Sequence, residues 1–476
     1  CKANLGAYLS TAAPGIPTIL HGLMYSGAYR IPNIAADVYG VLTNTTPVDA
    51  YRGAGRPEAT YLVERMMDLV AREIGMDPVD LRRKNFIPAD AFPYTVATGI
   101  TYDSGNYEAA LQKALDRLDY AAIRAEQQRL RQQGRYIGVG FSTYVEICGL
   151  GPSQVAGAVG FQGGLWESAV VRVHPTGKVT AFTGTNPHGQ GEETTFAQIV
   201  ADTLGVPIED VFVDTADSDT GPHCMGSFAS RGTHRAGNAV IAAAKEAKEV
   251  LLEVAAEELE VDPKDLELDG RGNVQVKGAP SRAISVREVA QRAHFKRGKS
   301  ISGRGMFLVP PSDVDPETGA MNPVTTYAHA CMVAEVEVDD ETGEVTVLSL
   351  KAAYEIGRAL NIKLVEQQLV GGAWMGISHA LYETPEPYYP DRSHGPTDFN
   401  TYLMPGPGDM CPVEIELLER PALDGPYGAK GIGEMCATPP IPAIANAIFD
   451  AVGVRIGEMP FTPEKILRAL DAKAGR

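Results

Sequence analysis

The chain has 476 residues, and 42 Lys and Arg against 60 Asp and Glu leave a formal charge of −18. That balance argues against a nucleic-acid partner, since a phosphate-backbone binder needs a basic face to displace counterions. A 44% hydrophobic, 21% charged composition excludes a disordered chain, and no apolar run approaches the ~20 residues needed for a membrane span.

In chain order, Pro57-Glu58 opens a helix whose apolar positions Leu62, Met66, Leu69, Val70 and Ile74 keep a three-to-four-residue rhythm. Gly75 ends it, and Asp77-Pro78 caps a short second helix. A charged helix stops near residues 132–135 and a glycine-rich segment, 138–151, follows, so a boundary is expected there. Residues 168–173 and 179–183 alternate around Pro175-Thr176-Gly177 and predict a hairpin. A helix is expected over 195–204, and a long Ala/Glu/Lys-rich one over 236–260, with Asp262-Pro263 repeating the cap. Residues 333–338 and 345–354 predict a second hairpin, followed by helices over 362–382, 442–452 and 463–472. Strands paired by hairpins rather than through βαβ crossovers predict an α+β fold with hairpin-paired mixed sheets and packed helices. The cysteines (Cys1, Cys148, Cys224, Cys331, Cys411 and Cys436) form no Cys-x-x-Cys pair. Their spacing suits neither an iron–sulfur cluster nor a structural zinc nor a disulfide framework, so a reducing, cytoplasmic location is expected.

Four glycine-rich loops carry polar neighbours. The first, Ala50-Tyr51-Arg52-Gly53-Ala54-Gly55-Arg56-Pro57-Glu58, precedes a helix, whose N-terminus favours an anion. The second contains His188-Gly189-Gln190-Gly191-Glu192 and joins a strand to a helix, but has neither dinucleotide nor P-loop spacing. In the third, 221–234, hydroxyls and Arg231 could hold phosphate oxygens, while His223, Cys224 and His234 match no zinc pattern. The fourth, Gly428-Ala429-Lys430-Gly431-Ile432-Gly433-Glu434, sets a carboxylate among small residues. Nothing bulky shields it from a ligand, as a general base requires. Taken singly, the first loop reads more readily as a glycine turn feeding a helix, and Glu434 in the fourth as an exposed loop acid.

Taken in order, the four loops resemble the large, molybdopterin-binding subunit of the molybdenum hydroxylases. That family includes xanthine dehydrogenase, aldehyde oxidoreductases, heteroaromatic hydroxylases and aerobic carbon monoxide dehydrogenase. The matching stretches are 50–87, Gly189-Gln190-Gly191, Ser230-Arg231-Gly232-Thr233, 354–362, 366–383, 398–405 and Gly431-Ile432-Gly433-Glu434. The resemblance implies a fold of two elongated subdomains, with residues 1–133 the end of the first and 134–476 the second. It implies a molybdenum held by the pterin dithiolene rather than by protein ligands, in the cytosine dinucleotide form of the cofactor. Glu434 would be the catalytic base as water-derived oxygen enters an electron-poor carbon of an aldehyde or a purine- or nicotinate-like ring. Arg52 and Gly53 would lie near the metal, and Gly189, Gln190, Gly191 and Ser230, Arg231, Gly232, Thr233 would bind the cofactor. Lys430, Gly431, Ile432 and Gly433 would cradle the base loop, and Ala54 and Ile147 would line the substrate pocket. FAD and [2Fe-2S] centres would sit on separate subunits, and a second chain would supply an amino-terminal metal-binding half.

The departures narrow this expectation. Gly53 stands where copper-type carbon monoxide dehydrogenases carry a Cys, and without a thiolate copper has no ligand. Ala54 replaces a ring-stacking Phe, and Gly232 a hydroxyl residue, which puts one phosphate contact in question. The alternatives are a non-catalytic scaffold subunit of such a complex, or a carbon monoxide dehydrogenase-like enzyme without the copper Cys.

Overall fold

The structure, a computed structural model, describes residues 1–10, 15–158, 161, 163–215, 217–386 and 395–475. The strands of its two main sheets are, in chain order, β1 (Tyr136–Cys148), β2 (Glu167–Val173), β3 (Val179–Thr183), β4 (Val211–Asp214), β5 (Ile301–Phe307), β6 (Thr326–Val338), β7 (Val345–Glu355) and β8 (Val413–Leu418). The helices that matter here are α1 (Arg56–Glu73), α2 (Pro78–Asn85), α3 (Glu192–Leu204), α4 (Gly237–Leu259), α5 (Ile362–Leu381) and α6 (Pro440–Val452).

One sheet runs β8-β7-β6-β1 and the other β5-β2-β3-β4. Both expected hairpins are present, with Val173 opposite Val179 and Val338 opposite Val345. The expectation that crossovers are absent needs correction. β3 and β4 pair in parallel across α3, and β7 and β8 pair in parallel across α5. Each sheet therefore combines antiparallel pairs with one βαβ unit, a mixed α+β arrangement.

The same packing device joins a helix to each sheet. A Cβ at Gly138 or Gly140 of β1 would stand 1.9 Å or 2.1 Å from the carbonyl oxygen of Ala447 or Ala443 of α6. At Gly303 and Gly305 of β5 the distances to the carbonyl oxygens of Ala243 and Ala239 of α4 would be 2.2 Å and 1.9 Å. Glycine on the strand facing alanine on the helix lets the two backbones touch. The β5-β2-β3-β4 sheet then buries Val171, Val179, Ala181, Phe196, Val200 and Leu251 in one apolar core. The other sheet is covered on one face by α6 through Ile444 and Ile448. On its other face Tyr29, Phe86, Tyr107 and Leu111 meet Val139, Phe141, Tyr327 and Cys331, so this core runs across residue 133.

The α1 rhythm predicts the helix but not its buried face. Leu62, Met66, Leu69, Val70 and Ile74 are all exposed, whereas Arg56, Glu64 and Asp68 are buried. The reason is a set of ion pairs. Glu64 accepts from Arg82 of α2 at 2.7 and 2.9 Å and from the Tyr29 hydroxyl at 2.5 Å, and Asp68 accepts from Arg455 at 2.8 Å. Asp77 caps α2 as expected, its carboxylate accepting from the Val79 amide at 2.8 Å.

Candidate functional site

All four loops meet at one cleft with a cavity of about 450 Å³. Tyr51 and Arg52 come from the first loop, His188 and Gln190 from the second, Ser227 to Thr233 from the third, and Ala429 to Glu434 from the fourth. The third and fourth loops interlock at their backbones. A Cβ at Gly431 would fall 1.7 Å from the Ser230 carbonyl oxygen, so only glycine permits the approach. Ala229 and Ser230 both hold a left-handed backbone, with φ of 48° and 54°. Such strain in non-glycine residues persists where the surroundings fix it.

That backbone aims donors at Glu434. The Ala229 amide donates to Glu434 Oε1 at 2.8 Å, and the Glu434 amide donates to Ser230 Oγ at 3.1 Å. Ser230 Oγ donates in turn to Glu146 Oε1 at 2.8 Å. Arg56 closes the ring, pairing its guanidinium with Glu434 Oε2 and placing Nε 3.2 Å from Glu146 Oε2. Arg56 and Glu146 are buried, while the Glu434 side chain keeps 15% exposure. One carboxylate of the ring can thus be reached from the cleft and the other cannot. Burial raises Glu146 to about 7, against the opposing pull of Arg56 and the Ser230 hydroxyl.

The remaining expected residues divide. Arg52 donates to the Gly433 carbonyl and, at 2.8 Å, to Gln368, which anchors the first loop to the fourth and to α5. Gly53 lies behind the wall, where a Cβ would come 2.7 Å from Pro57 Cγ. Gly189 and Gly191 shape the turn that presents Gln190, and Thr233, Gly431, Ile432 and Gly433 line the cleft. Lys430 takes part through its backbone, because its ammonium donates to Glu355 at 2.6 Å, the Tyr327 carbonyl at 2.8 Å and Ser104 at 3.1 Å. Ala54 faces a neighbouring cavity with Tyr51, Pro57 and His379.

Two expectations require correction. Arg231 does not present its charge to a ligand. It is buried, paired with Glu167, and donates to the Gly226 and Leu165 carbonyls, both at 3.2 Å. Ile147 does not line the cleft but packs in the core with Val139, Val145 and Tyr327. Successive residues of a strand face opposite sides, so it is Glu146, one residue earlier, that reaches the site. β1 is buried along nearly its whole length, so no polar alternation marked the face that looks toward the cleft. Arg56, Glu146, Glu192 and Arg358 were missed. Arg56 stood inside the first loop, and a charged residue inside the apolar run 136–148 was the available signal for Glu146. Among the described residues no His, Cys, Asp and Glu gather as a metal site.

Two molybdopterin cofactor-binding domain models match, one over residues 1–86 and the other over 113–411. The chain belongs to the molybdopterin cofactor-binding family. It is 35% identical over 460 residues to the carbon monoxide dehydrogenase large chain of Hydrogenophaga pseudoflava, covering 94% of this chain and 55% of that protein. It is equally 35% identical over 475 residues to the 6-hydroxypseudooxynicotine dehydrogenase complex subunit gamma of Paenarthrobacter nicotinovorans, covering 97% and 56%. Among solved structures, quinoline 2-oxidoreductase from Pseudomonas putida 86 superposes with a TM-score of 0.87 at 29% identity, over 99% of this chain and 59% of that one. The Cu,Mo carbon monoxide dehydrogenase superposes with a TM-score of 0.86 at 30% identity, over 100% and 59%. The chain therefore spans little more than half the length of these relatives. The relatives are molybdenum-dependent oxidoreductases, and several are named as subunits, one of them of a complex.

Proposed function

We propose that this chain is part of the catalytic subunit of a molybdenum-dependent hydroxylase acting on an electron-poor carbon, with an N-heteroaromatic ring as the favoured substrate class and an aldehyde as the second. The observation that carries the reading is Glu434, held by the Ala229 amide and Arg56 while its side chain stays open to the cleft. Relatives named for nicotine-derived rings and quinoline favour the heteroaromatic class. Position 53 is glycine and offers no thiolate for copper, which disfavours carbon monoxide.

The cleft suits a large anionic cofactor. Backbone at Gly431 to Gly433 and the Ser227 and Thr233 hydroxyls line it, the Gly431 cradle excludes any side chain, and the exposed Arg358 stands on its wall. Gln190, Ser227, Thr233 and the 431–433 backbone would hold a molybdopterin, in the cytosine dinucleotide form, with Arg358 toward its phosphates. When bound, that group supplies the two-electron redox chemistry. The chain itself orients a base. Glu434 Oε1 is fixed by one amide and Oε2 by Arg56, so a proton leaving the substrate side reaches a carboxylate that cannot rotate away. Glu146 draws part of the Arg56 charge to itself and so limits how far Arg56 weakens that base. Electrons would leave through iron–sulfur and FAD subunits, and a further metal-binding half would close the cleft, all in the cytoplasm. No helix among the described residues is long and apolar enough to cross a membrane.

Metal and nucleotide analysis of the purified assembly tests the proposal. About one molybdenum and one cytidine nucleotide per chain are expected. An assembly carrying neither would identify the chain as a scaffold.

A further inference from the structure

Glu192 is a buried acid of the cleft that the proposed chemistry does not use. It opens α3, and its carboxylate lies directly against Gly232. A Cβ at position 232 would come 1.9 Å from Glu192 Oε1, so the carboxylate occupies the space that a side chain at 232 would take on the cleft wall. The glycine there is matched by an acid arriving from another element, rather than by an empty gap.

The carboxylate is well held, but among the described residues no cation pairs with it. Ser227 Oγ donates to its two oxygens at 2.7 and 2.9 Å, and the Gln190 amide meets it from the second loop. Gln190 Oε1 is meanwhile taken by the His188 backbone amide, which leaves the Gln190 NH₂ for Glu192. The charged groups facing it are Glu193 on α3 and Glu167 from β2, and the charge of Glu167 is matched by Arg231. Arg52, Arg358 and Glu434 stand elsewhere along the same wall.

We propose that Glu192 is a cofactor-binding residue that works as the neutral acid, donating a hydrogen bond to an anionic phosphate oxygen of the pterin cofactor from the position Gly232 leaves open, and releasing it on ionisation. This rests on the reading of the cleft as the cofactor site. Burial raises the Glu192 carboxyl to about 7, so the switch falls in the neutral range. The sign follows from the donor inventory. Below that range the carboxyl offers an O–H, and above it the carboxylate only accepts and repels an anion. Cofactor retention should therefore fall as pH rises.

The test follows pterin and molybdenum released from the intact assembly on gel filtration at about pH 6 and about pH 8.5, with release expected to be about tenfold faster at the higher pH. Glu192→Gln keeps shape and a donor but cannot ionise, and should retain cofactor equally at both pH values. Glu192→Gly with Gly232→Ser returns a hydroxyl to position 232 and should also abolish the pH dependence, which guards against a Glu192→Gln variant that folds poorly. If both variants release cofactor with the pH dependence of the parent protein, Glu192 is not a ligand. If the parent assembly carries no pterin at any pH, the cleft reading itself fails, a separate result.

Discussion

The two sheets share a plan and differ in what they bury. Both carry antiparallel pairs plus one parallel crossover, and both seat an alanine-lined helix on a pair of strand glycines. The β5-β2-β3-β4 core is made of Val, Ala, Ile, Leu and Phe. The β8-β7-β6-β1 sheet instead buries Glu146, His329 and Glu355 along its strands, and beneath it Arg82 meets Glu64, whereas the other sheet buries Glu167 at the start of β2, paired with Arg231. Buried charge costs desolvation unless paired, and on this sheet Glu146 backs the cleft through Ser230 and Arg56. One half is mainly apolar packing, and the other holds more of its charges at fixed buried positions.

The sharpest way to break this contrast is Arg82→Met, which leaves Glu64 with the Tyr29 hydroxyl but no counter-charge. It should cost about 3–5 kcal/mol in urea denaturation. Adding Glu64→Leu should recover most of that loss, because an apolar pair of similar volume replaces the ions. A recovery near zero would mean the buried charge is needed for folding itself. The shared glycine device predicts equal damage in both halves. Gly140→Ala and Gly303→Ala should each cost about 1–3 kcal/mol, read by thermal melts, since each methyl meets a helix carbonyl. A large difference between them would show that the two sheets do not pack alike.

Acid should separate the halves more gently. Hydrogen bonding from His329 and the charge of Lys430 outweigh burial and hold the Glu355 carboxyl at about 2, below its ordinary value. Its contribution is present above an unfolded value of about 4.3 and is lost as pH falls toward 2. Glu355→Gln should flatten that part of the stability profile. The smallest effect is expected from Asp77→Ala, about 1 kcal/mol for the lost cap of α2.

What could be read from the sequence follows the same division. Period-two alternation gave β2 and β3 correctly because that sheet sorts apolar from polar residues in the ordinary way. The capping pair Asp77-Pro78 was legible because the cap is local chemistry. The α1 face came out inverted because its buried positions are ion-paired Arg and Glu, which resemble a solvated face. Both crossovers were missed since a parallel partner lies a whole helix away in the chain. The four loops could be grouped only through the family resemblance, and the cleft they form agrees with that grouping. The Arg56–Glu146 ring behind Glu434 stayed hidden, because its members come from positions 56, 146, 230 and 434 and nothing local ties them together.

The central claim, that Glu434 is the base of this cleft, is tested most directly by Glu434→Gln in the assembled complex, with molybdenum content and turnover measured on the same preparation. Full molybdenum with turnover lowered about 10²–10⁴-fold is the predicted result. Full molybdenum with turnover near that of the parent enzyme would contradict it.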